Sequence, residues 1–443
     1  MLVQDGPPGG DCTFTGCVPS KTLLAAGARG DTFADALRTV HATIARIAAT
    51  EDVDTLRREG MEVVAGRGAF VDGSTISVDG SRFRSPRIVI ATGSRPALPP
   101  VEGLADSSPL TSESLFDLTE RPEHLVVLGG GPIGCEMAQA FIRLGTKVTV
   151  VEREDRLLPR DEPEVGEVVR TVLERQGVDV RTGAEVTLAG RRSSSGRPVV
   201  HLDGTGPIEA DEVLVAAGRT PVTLGLEVDR AGVRLDHRGA VAVDATMATS
   251  APGVWAVGDV TGRMQFTHAA GRMAMVATAN AFGRKIGPRQ RFEEPLIPWV
   301  TFTDPEVAHV GMTESDAADH GGRVAWLQLD EVDRALTSGQ TDGFVKLIAG
   351  PRRLIGNVGG GRLLGATIVA PRAGEMIHEV ALAMRTNMFT GRLAQTVHAY
   401  PTWSMAIQEA AAQFFFEHKG RSSRPAVARN STTRRPSHPV RSS

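Results

Sequence analysis

The stretch Leu125-Val126-Val127-Leu128-Gly129-Gly130-Gly131-Pro132-Ile133-Gly134 constrains this chain more than any other. An apolar run enters Gly129-x-Gly131-x-x-Gly134, a helical pattern continues through Arg143, and Thr146–Glu152 is a second apolar run that ends in an acid. Glycines at this spacing let a strand turn tightly into a helix whose first amides are bare, and bare amides at a helix start attract phosphate. A lone glycine triplet says little. Between two apolar strands, with an acid about 20 residues on, it is the βαβ fingerprint of a dinucleotide site. Gly129, Gly131 and Gly134 are therefore expected to cradle a dinucleotide. An acid at the position of Glu152 bonds the ribose hydroxyls and repels a 2′-phosphate, which favours NADH over NADPH. Arg153 and Arg156 stand close by and pull the other way.

A second feature carries chemistry rather than fold. Cys12 and Cys17 lie in Gly9-Gly10-Asp11-Cys12-Thr13-Phe14-Thr15-Gly16-Cys17-Val18-Pro19-Ser20-Lys21. This spacing allows a disulfide to close between them, and a dithiol takes or gives two electrons, as a flavin does. Gly10 and Gly16 would let the backbone approach a flat ring. A helix is expected from Ser20 as its cap, and its amino terminus, together with Lys21, would stabilise a thiolate. Residues 33–59 read as one longer charged helix.

Composition narrows the class. The chain has 443 residues, enough for two to four domains. A net charge of −3 gives no reason to expect nucleic acid as a partner. Three cysteines (Cys12, Cys17 and Cys135) are too few for a secreted disulfide scaffold and point to a reducing, cytoplasmic setting. The first residues have neither a basic nor an apolar targeting region, and no run approaches the length needed to span a bilayer. No set of metal ligands stands out.

These blocks resemble the class I pyridine nucleotide-disulfide oxidoreductases, the family of dihydrolipoamide dehydrogenase, glutathione reductase and mercuric reductase. The likeness runs to about residue 418. It rests on the cysteine motif, on Ala91-Thr92-Gly93-Ser94-Arg95-Pro96, Ala217-Gly218-Arg219-Thr220-Pro221, Val257-Gly258-Asp259, Phe302-Thr303-Asp304-Pro305-Glu306-Val307 and Gly365-Ala366-Thr367. The resemblance implies an α/β fold with two Rossmann-like dinucleotide-binding domains, the first truncated, and an α+β dimerisation domain. Residues 1–120 with 245–292 would bind FAD, 121–244 would bind NAD, 293–420 would form a homodimer, and 421–443 would be a disordered basic tail. Gly10, Lys21, Thr92, Gly93, Gly258 and Asp259 would contact FAD, and Gly218 would join the NAD site. Cys17 would be the thiol nearest the flavin and Cys12 the outer thiol that meets a small-molecule acceptor. Lys21 would pair with Glu136 at the hydride-transfer site.

The chain departs from the family in three places. The family's opening strand–glycine turn–helix unit has no counterpart here, and Met1-Leu2-Val3 resembles the end of the family's second strand, so the FAD pyrophosphate would lose its anion site and the first sheet its central strand. Weak FAD binding is expected as a result. Where thiol-reducing members carry a histidine before a proline and a glutamate five residues later, this chain has Tyr400 and Met405, with His398 two residues earlier. A tyrosine is a poor base at neutral pH, so Tyr400 is the candidate terminal residue for another chemistry, and His398 reads as structural. Mercuric reductases share that tyrosine but use a cysteine pair near the carboxyl end, and here no cysteine follows Cys135. The expected activity passes electrons from NADH through FAD to a Cys12–Cys17 disulfide and on to a non-lipoamide acceptor: a soft metal ion such as Cu(II), a quinone or a small oxidant. Two alternatives stay open, a dihydrolipoamide dehydrogenase-type disulfide reductase and a flavin-free pseudoenzyme.

Overall fold

The computed structural model describes residues 1–191, 196–204, 206–283 and 287–428. Its contacts divide the chain into two compact units, Met1–Glu294 with Thr301–Thr303, and Pro295–Val300 with the chain from Asp304 onward.

The first unit opens with β1 (Leu2–Gln4), α1 (Gly10–Phe14), α2 (Cys17–Arg29), α3 (Phe33–Ala48) and α4 (Val53–Arg58). Helix α2 starts three residues before the expected cap. Gly16 is its N-cap, and Ser20 sits inside the helix with its hydroxyl on the Gly16 carbonyl at 2.7 Å. Pro19 is tolerated because first-turn amides have no partner within the helix. The long helix expected over 33–59 is two helices: Thr32 caps α3, Asp52 caps α4, and each accepts a backbone amide three residues on.

Short strands follow: β2 (Val63–Ala65), β3 (Gly68–Asp72), β4 (Thr75–Val78), β5 (Ser81–Arg84), β6 (Ile88–Ile90) and β7 (Ser94–Pro96). Strand β1 pairs parallel with β2 alone. Strand β6 pairs parallel with β16 (Val254–Ala256) in a separate two-stranded sheet. The β1–β2 and β6–β16 pairs are separate two-stranded sheets.

The dinucleotide fingerprint forms as its pattern requires. Strand β8 (His124–Leu128), α5 (Pro132–Arg143), β9 (Lys147–Glu152), α6 (Pro163–Arg175) and β10 (Asp179–Thr182) build a parallel sheet in the order β10-β9-β8-β14. Strands β11 (Val186–Arg191), β12 (Pro198–Leu202) and β13 (Ile208–Glu209) form a small antiparallel sheet, and β14 (Glu212–Val215) returns to the parallel one. Val126, Leu128, Val151, Val213 and Val215 are buried together with Val200 and Leu202 from the small sheet. Strand β15 (Arg219–Pro221) pairs antiparallel with β7, which lays the Arg219 block beside the Ser94 block. Helix α7 (Thr267–Phe282) ends this part of the unit.

The second unit is one mostly antiparallel sheet in the order β17-β18-β21-β20-β19-β22. Its strands are β17 (Trp299–Thr301), β18 (Glu306–Gly311), β19 (Arg323–Gln328), β20 (Phe344–Gly350), β21 (Arg362–Ala370) and β22 (Arg424–Pro425). Helices α8 (Glu314–Ala318), α9 (Asp333–Ser338), α10 (Ala373–Arg385), α11 (Thr390–Gln395) and α12 (Met405–Ala412) accompany it. Ile377 and Val380 of α10 and Ile407, Ala410 and Ala411 of α12 bury against it, each set spaced as one face of a helix. The tail expected from residue 421 does not begin there. Arg424–Pro425 pairs with β19, and Arg424 Nη2 donates to Glu314 Oε2 at 2.9 Å. Residues 429–443 lie outside the described residues. Among the described residues no helix is long and apolar enough to cross a membrane.

Lys346 in β20 is fully buried, with its Nζ 3.1 Å from Glu314 Oε2 and over the Trp326 ring at 5.4 Å. A buried cation tolerates the interior only beside its counter-charge. Replacing Glu314 by Ala is expected to cost about 3 to 5 kcal/mol, read as a lower denaturant midpoint with an unchanged m-value. An unchanged midpoint would show that this pair does not hold the sheet edge.

Candidate redox and dinucleotide site

The cysteine pair sits at a break between two helices. Cys12 lies in α1 and Cys17 is the first residue of α2, and both are free thiols, Cys17 exposed and Cys12 half-buried. Gly10 takes a left-handed φ of 59°, which a larger side chain resists, with open space on its Cβ side.

The two sulfurs ionise unequally. A hydrogen bond from the Cys12 thiol is the main cause that lowers the Cys17 thiol to about 5; burial opposes it, and Thr267 and Lys21 add to it. The same bond, with burial, pushes Cys12 well above the ordinary thiol range. Burial also raises Cys135, which is fully enclosed with its thiol on the Gly130 carbonyl at 3.3 Å. Of the three sulfurs, negative charge is favoured on Cys17 and disfavoured on Cys12 and Cys135.

Lys21 stands one turn beyond Cys17. Its Nζ is 2.7 Å from Glu136 Oε2 and 4.7 Å from the centre of the Phe302 ring. Glu136 is buried on α5, and its Oε1 accepts the Phe302 backbone amide at 2.9 Å. The pair is reached because α2 and α5 pack closely: a Cβ on Gly27 would lie 3.3 Å from the Ala140 carbonyl and 3.2 Å from Arg143 Cβ.

The dinucleotide turn has the shape of a phosphate cradle. Gly129 has φ 116°, and a Cβ there would lie 2.5 Å from the Ala216 carbonyl. A Cβ on Gly134 would come within 1.8 Å of the Gly129 carbonyl, whereas Gly131 faces open space. Helix α5 has no side chain capping its amides. This arrangement fits a pyrophosphate. Glu152 accepts the Gly130 amide at 2.6 Å and the Glu154 amide at 2.8 Å, so its carboxylate is fixed at the strand end. Arg153 turns to Glu154, and Arg156 donates to the Pro159 carbonyl at 2.6 Å. Gly218 has φ 127° and accepts the Ala97 amide.

A second carboxylate fits a sugar-alcohol chain. Asp259 Oδ2 accepts the Ser94 hydroxyl at 2.6 Å and lies 3.7 Å from Arg219 Nε. Burial raises its pKa, partly offset by Ser94 and Arg219. Both partners address Oδ2, which leaves Oδ1 as an acceptor for a hydroxyl. Gly258 beside it is buried at φ 74°. The Thr92 hydroxyl is turned away to the Val222 carbonyl at 2.6 Å, and Gly93 has φ 71°. Arg219 also pairs with Asp11, next to Cys12.

In the second unit, Tyr400 is exposed and donates its hydroxyl to Asp333 at 3.0 Å, a bond that raises its pKa. His398 Nε2 meets both oxygens of Glu379 at 3.0 and 3.1 Å, and its Nδ1 meets the Thr396 carbonyl at 3.0 Å. Both ring nitrogens therefore face acceptors within the unit.

Sequence reasoning did not nominate Ser94, Arg219, Phe302, Thr267 or Glu379. Ser94 and Arg219 directly follow Gly93 and Gly218, so adjacency to quoted motifs was a signal. For Thr267 and Glu379 there was none.

The description "Pyridine nucleotide-disulphide oxidoreductase" belongs to a family profile that matches residues 1–274, and its dimerisation-domain counterpart matches residues 297–411. A mercuric reductase of Streptomyces lividans is 34% identical over 94% of this chain and 90% of its own length. A dihydrolipoyl dehydrogenase of Chlorobaculum tepidum is 34% identical over 93% of this chain and 90% of its own length. Among solved structures, the HOCl-induced flavoprotein disulfide reductase RclA from Escherichia coli superposes with a TM-score of 0.84 at 28% identity, covering 93% of each chain. Its Cu(II) complex gives a TM-score of 0.83, also at 28% identity, covering 92% of each chain.

The thiol chemistry predicts a pH signature. Alkylation of the reduced protein, mapped by peptide mass spectrometry, should modify Cys17 at pH 6 while Cys12 and Cys135 stay largely unmodified. The lowered Cys17 value also means that its thiolate adds stability above the unfolded value near 9 and that this is lost as pH falls through about 5. Alkylation of Cys17 that rises only above pH 8 would contradict this assignment. At the dinucleotide turn, Gly134→Ala should reduce NADH affinity at least roughly tenfold, since the new Cβ meets a backbone oxygen; titration calorimetry reads it.

Proposed function

The chain belongs to the pyridine nucleotide-disulphide oxidoreductase family, and from that premise we propose that it passes electrons from NADH to a soft metal ion, with Cys12 and Cys17 as the reducing pair. The family uses FAD and a nicotinamide dinucleotide, and the dimerisation-domain match supports a homodimer.

When bound, FAD would relay an electron pair from the nicotinamide to the cysteine disulfide. Asp259 and Ser94 are the residues suited to its hydroxyl chain, with Gly10, Thr92, Gly93 and Gly258 as the backbone around it and Lys21 beside its ring. The Gly129–Gly134 turn, with Gly218, would hold the nicotinamide dinucleotide. Glu152 supports NADH over NADPH, because its carboxylate is fixed at the strand end while Arg153 and Arg156 are turned to other partners. The Lys21–Glu136 pair would hold charge balance at the hydride-transfer face.

The commitment of His398 carries the choice of acceptor. Reducing an organic disulfide needs a base to move a proton as each thiol leaves. In this family the terminal block supplies it, yet here both His398 nitrogens face Glu379 and Thr396, and Tyr400 is bound to Asp333. A soft cation needs no such shuttle. Two Cu(II) ions accept one electron each, the Cys12 thiol and the Cys17 thiolate become a disulfide, and one proton passes to solvent. Thiolates suit this class of acceptor, and RclA has been solved as a Cu(II) complex.

The test compares acceptors on the FAD-loaded dimer with NADH. Cu(II) reduction, followed with a Cu(I)-selective chelator, should be rapid and lost in Cys12→Ser, whereas lipoamide should turn over at least about a hundredfold more slowly. Comparable lipoamide turnover would overturn the choice of acceptor and favour a dihydrolipoamide dehydrogenase-type reductase. A chain that retains no flavin would favour the pseudoenzyme. In the same assay Glu152→Ala should narrow the NADH:NADPH preference by roughly tenfold.

A further inference from the structure

The turn between β20 and β21 gathers positive charge without a counter-charge. Arg352, Arg353 and Arg362 line one cavity of about 680 Å³, together with Leu354, Ile355 and Asn387. Among the described residues no carboxylate lines it. The turn is fixed by its own backbone. Arg352 and Gly356 exchange two backbone hydrogen bonds, at 2.8 and 2.9 Å, so Arg353, Leu354 and Ile355 form the tip of a closed loop.

Arg352 is anchored by neutral groups. Its Nη2 donates to the Asn387 carbonyl at 2.6 Å, and its guanidinium lies over the Phe389 ring at 3.7 Å. Its charge is thus held in place but not cancelled by a carboxylate. The side chains of Arg353 and Arg362 are exposed and, among the described residues, make no hydrogen bond or ion pair. Beside them Leu354 is 92% exposed and Ile355 45%.

Gathered cations repel one another, and apolar side chains in water gain from being covered. One ligand chemistry relieves both: an anionic group for the guanidinium forks and an apolar body for Leu354 and Ile355. Guanidinium groups match phosphate through paired N–H donors. The volume falls within the roughly 300–1,000 Å³ of small-molecule sites, and a concave site suits such a molecule better than a flat lipid surface. We infer that this cavity binds a small organic phosphate with an apolar body, at a site built wholly from residues of the second unit.

Titration calorimetry on the full-length protein tests this with naphthyl phosphate. The probe should bind, inorganic phosphate should bind at least about tenfold more weakly, and naphthol should give no measurable heat. Arg353→Gln and Arg362→Gln should each weaken the probe roughly tenfold. Leu354→Ser should weaken it roughly fivefold and leave inorganic phosphate unchanged. All three side chains are exposed, so the fold should survive, and circular dichroism checks that. Binding that persists in both arginine variants would overturn the inference, as would no binding of the probe at all. Loss in Gly134→Ala without loss in Arg353→Gln would place the probe at the dinucleotide turn and overturn it too. So would arginine-dependent capture of anionic lipid vesicles without binding of the soluble phosphate, which would make the patch a membrane contact. None of these readouts uses NADH or Cu(II), so the result is independent of the proposed activity.

Discussion

The Lys21–Glu136 ion pair is the contact on which the first unit's chemistry depends. It ties the helix that begins at Cys17 to the helix that begins at the dinucleotide turn. Glu136 is almost fully enclosed, so its charge is tolerable only with Lys21 at one oxygen and the Phe302 amide at the other. A buried carboxylate stripped of its cation costs about 3 to 5 kcal/mol, which makes this pair a strong restraint as well as a charged one. The close approach at Gly27 is its steric counterpart, because a side chain there would push the two helices apart.

The Lys21 ammonium, one turn from Cys17, contributes less to lowering that sulfur's pKa than the Cys12 thiol and the Thr267 hydroxyl do. The two cysteines are thereby made unequal by short-range hydrogen bonding rather than by net charge. An unequal pair is useful for electron transfer, since one sulfur waits as a thiolate while the other keeps its proton until an acceptor arrives.

The second unit handles its polar groups differently. His398 and Tyr400 carry the residue types of a proton relay, but each is satisfied inside the unit, by Glu379 and Thr396 and by Asp333. The substitution of tyrosine for histidine before Pro401 was plain in the sequence. That the nearby histidine is occupied at both nitrogens was not, because Glu379 comes from α10, away from the terminal block.

Much of the fold was legible because its signals are local. The Gly129–Gly134 turn announces itself through steric needs of consecutive residues, and it forms between strand and helix as its pattern requires. Local reading also misplaced elements: Ser20 resembles a cap but lies within a helix, since Pro19 is harmless in a first turn. By itself the sequence determined the α/β class, the dinucleotide turn and the presence of a closely spaced cysteine pair. Only the tertiary structure decided which groups meet: Lys21 with Glu136 across 115 positions, Cys17 with Thr267 across 250 and His398 with Glu379 across 19. The reason is one of range. Turn geometry is set by neighbouring dihedrals, but a hydrogen bond needs atoms brought to about 3 Å, and packing between distant segments is what brings them there.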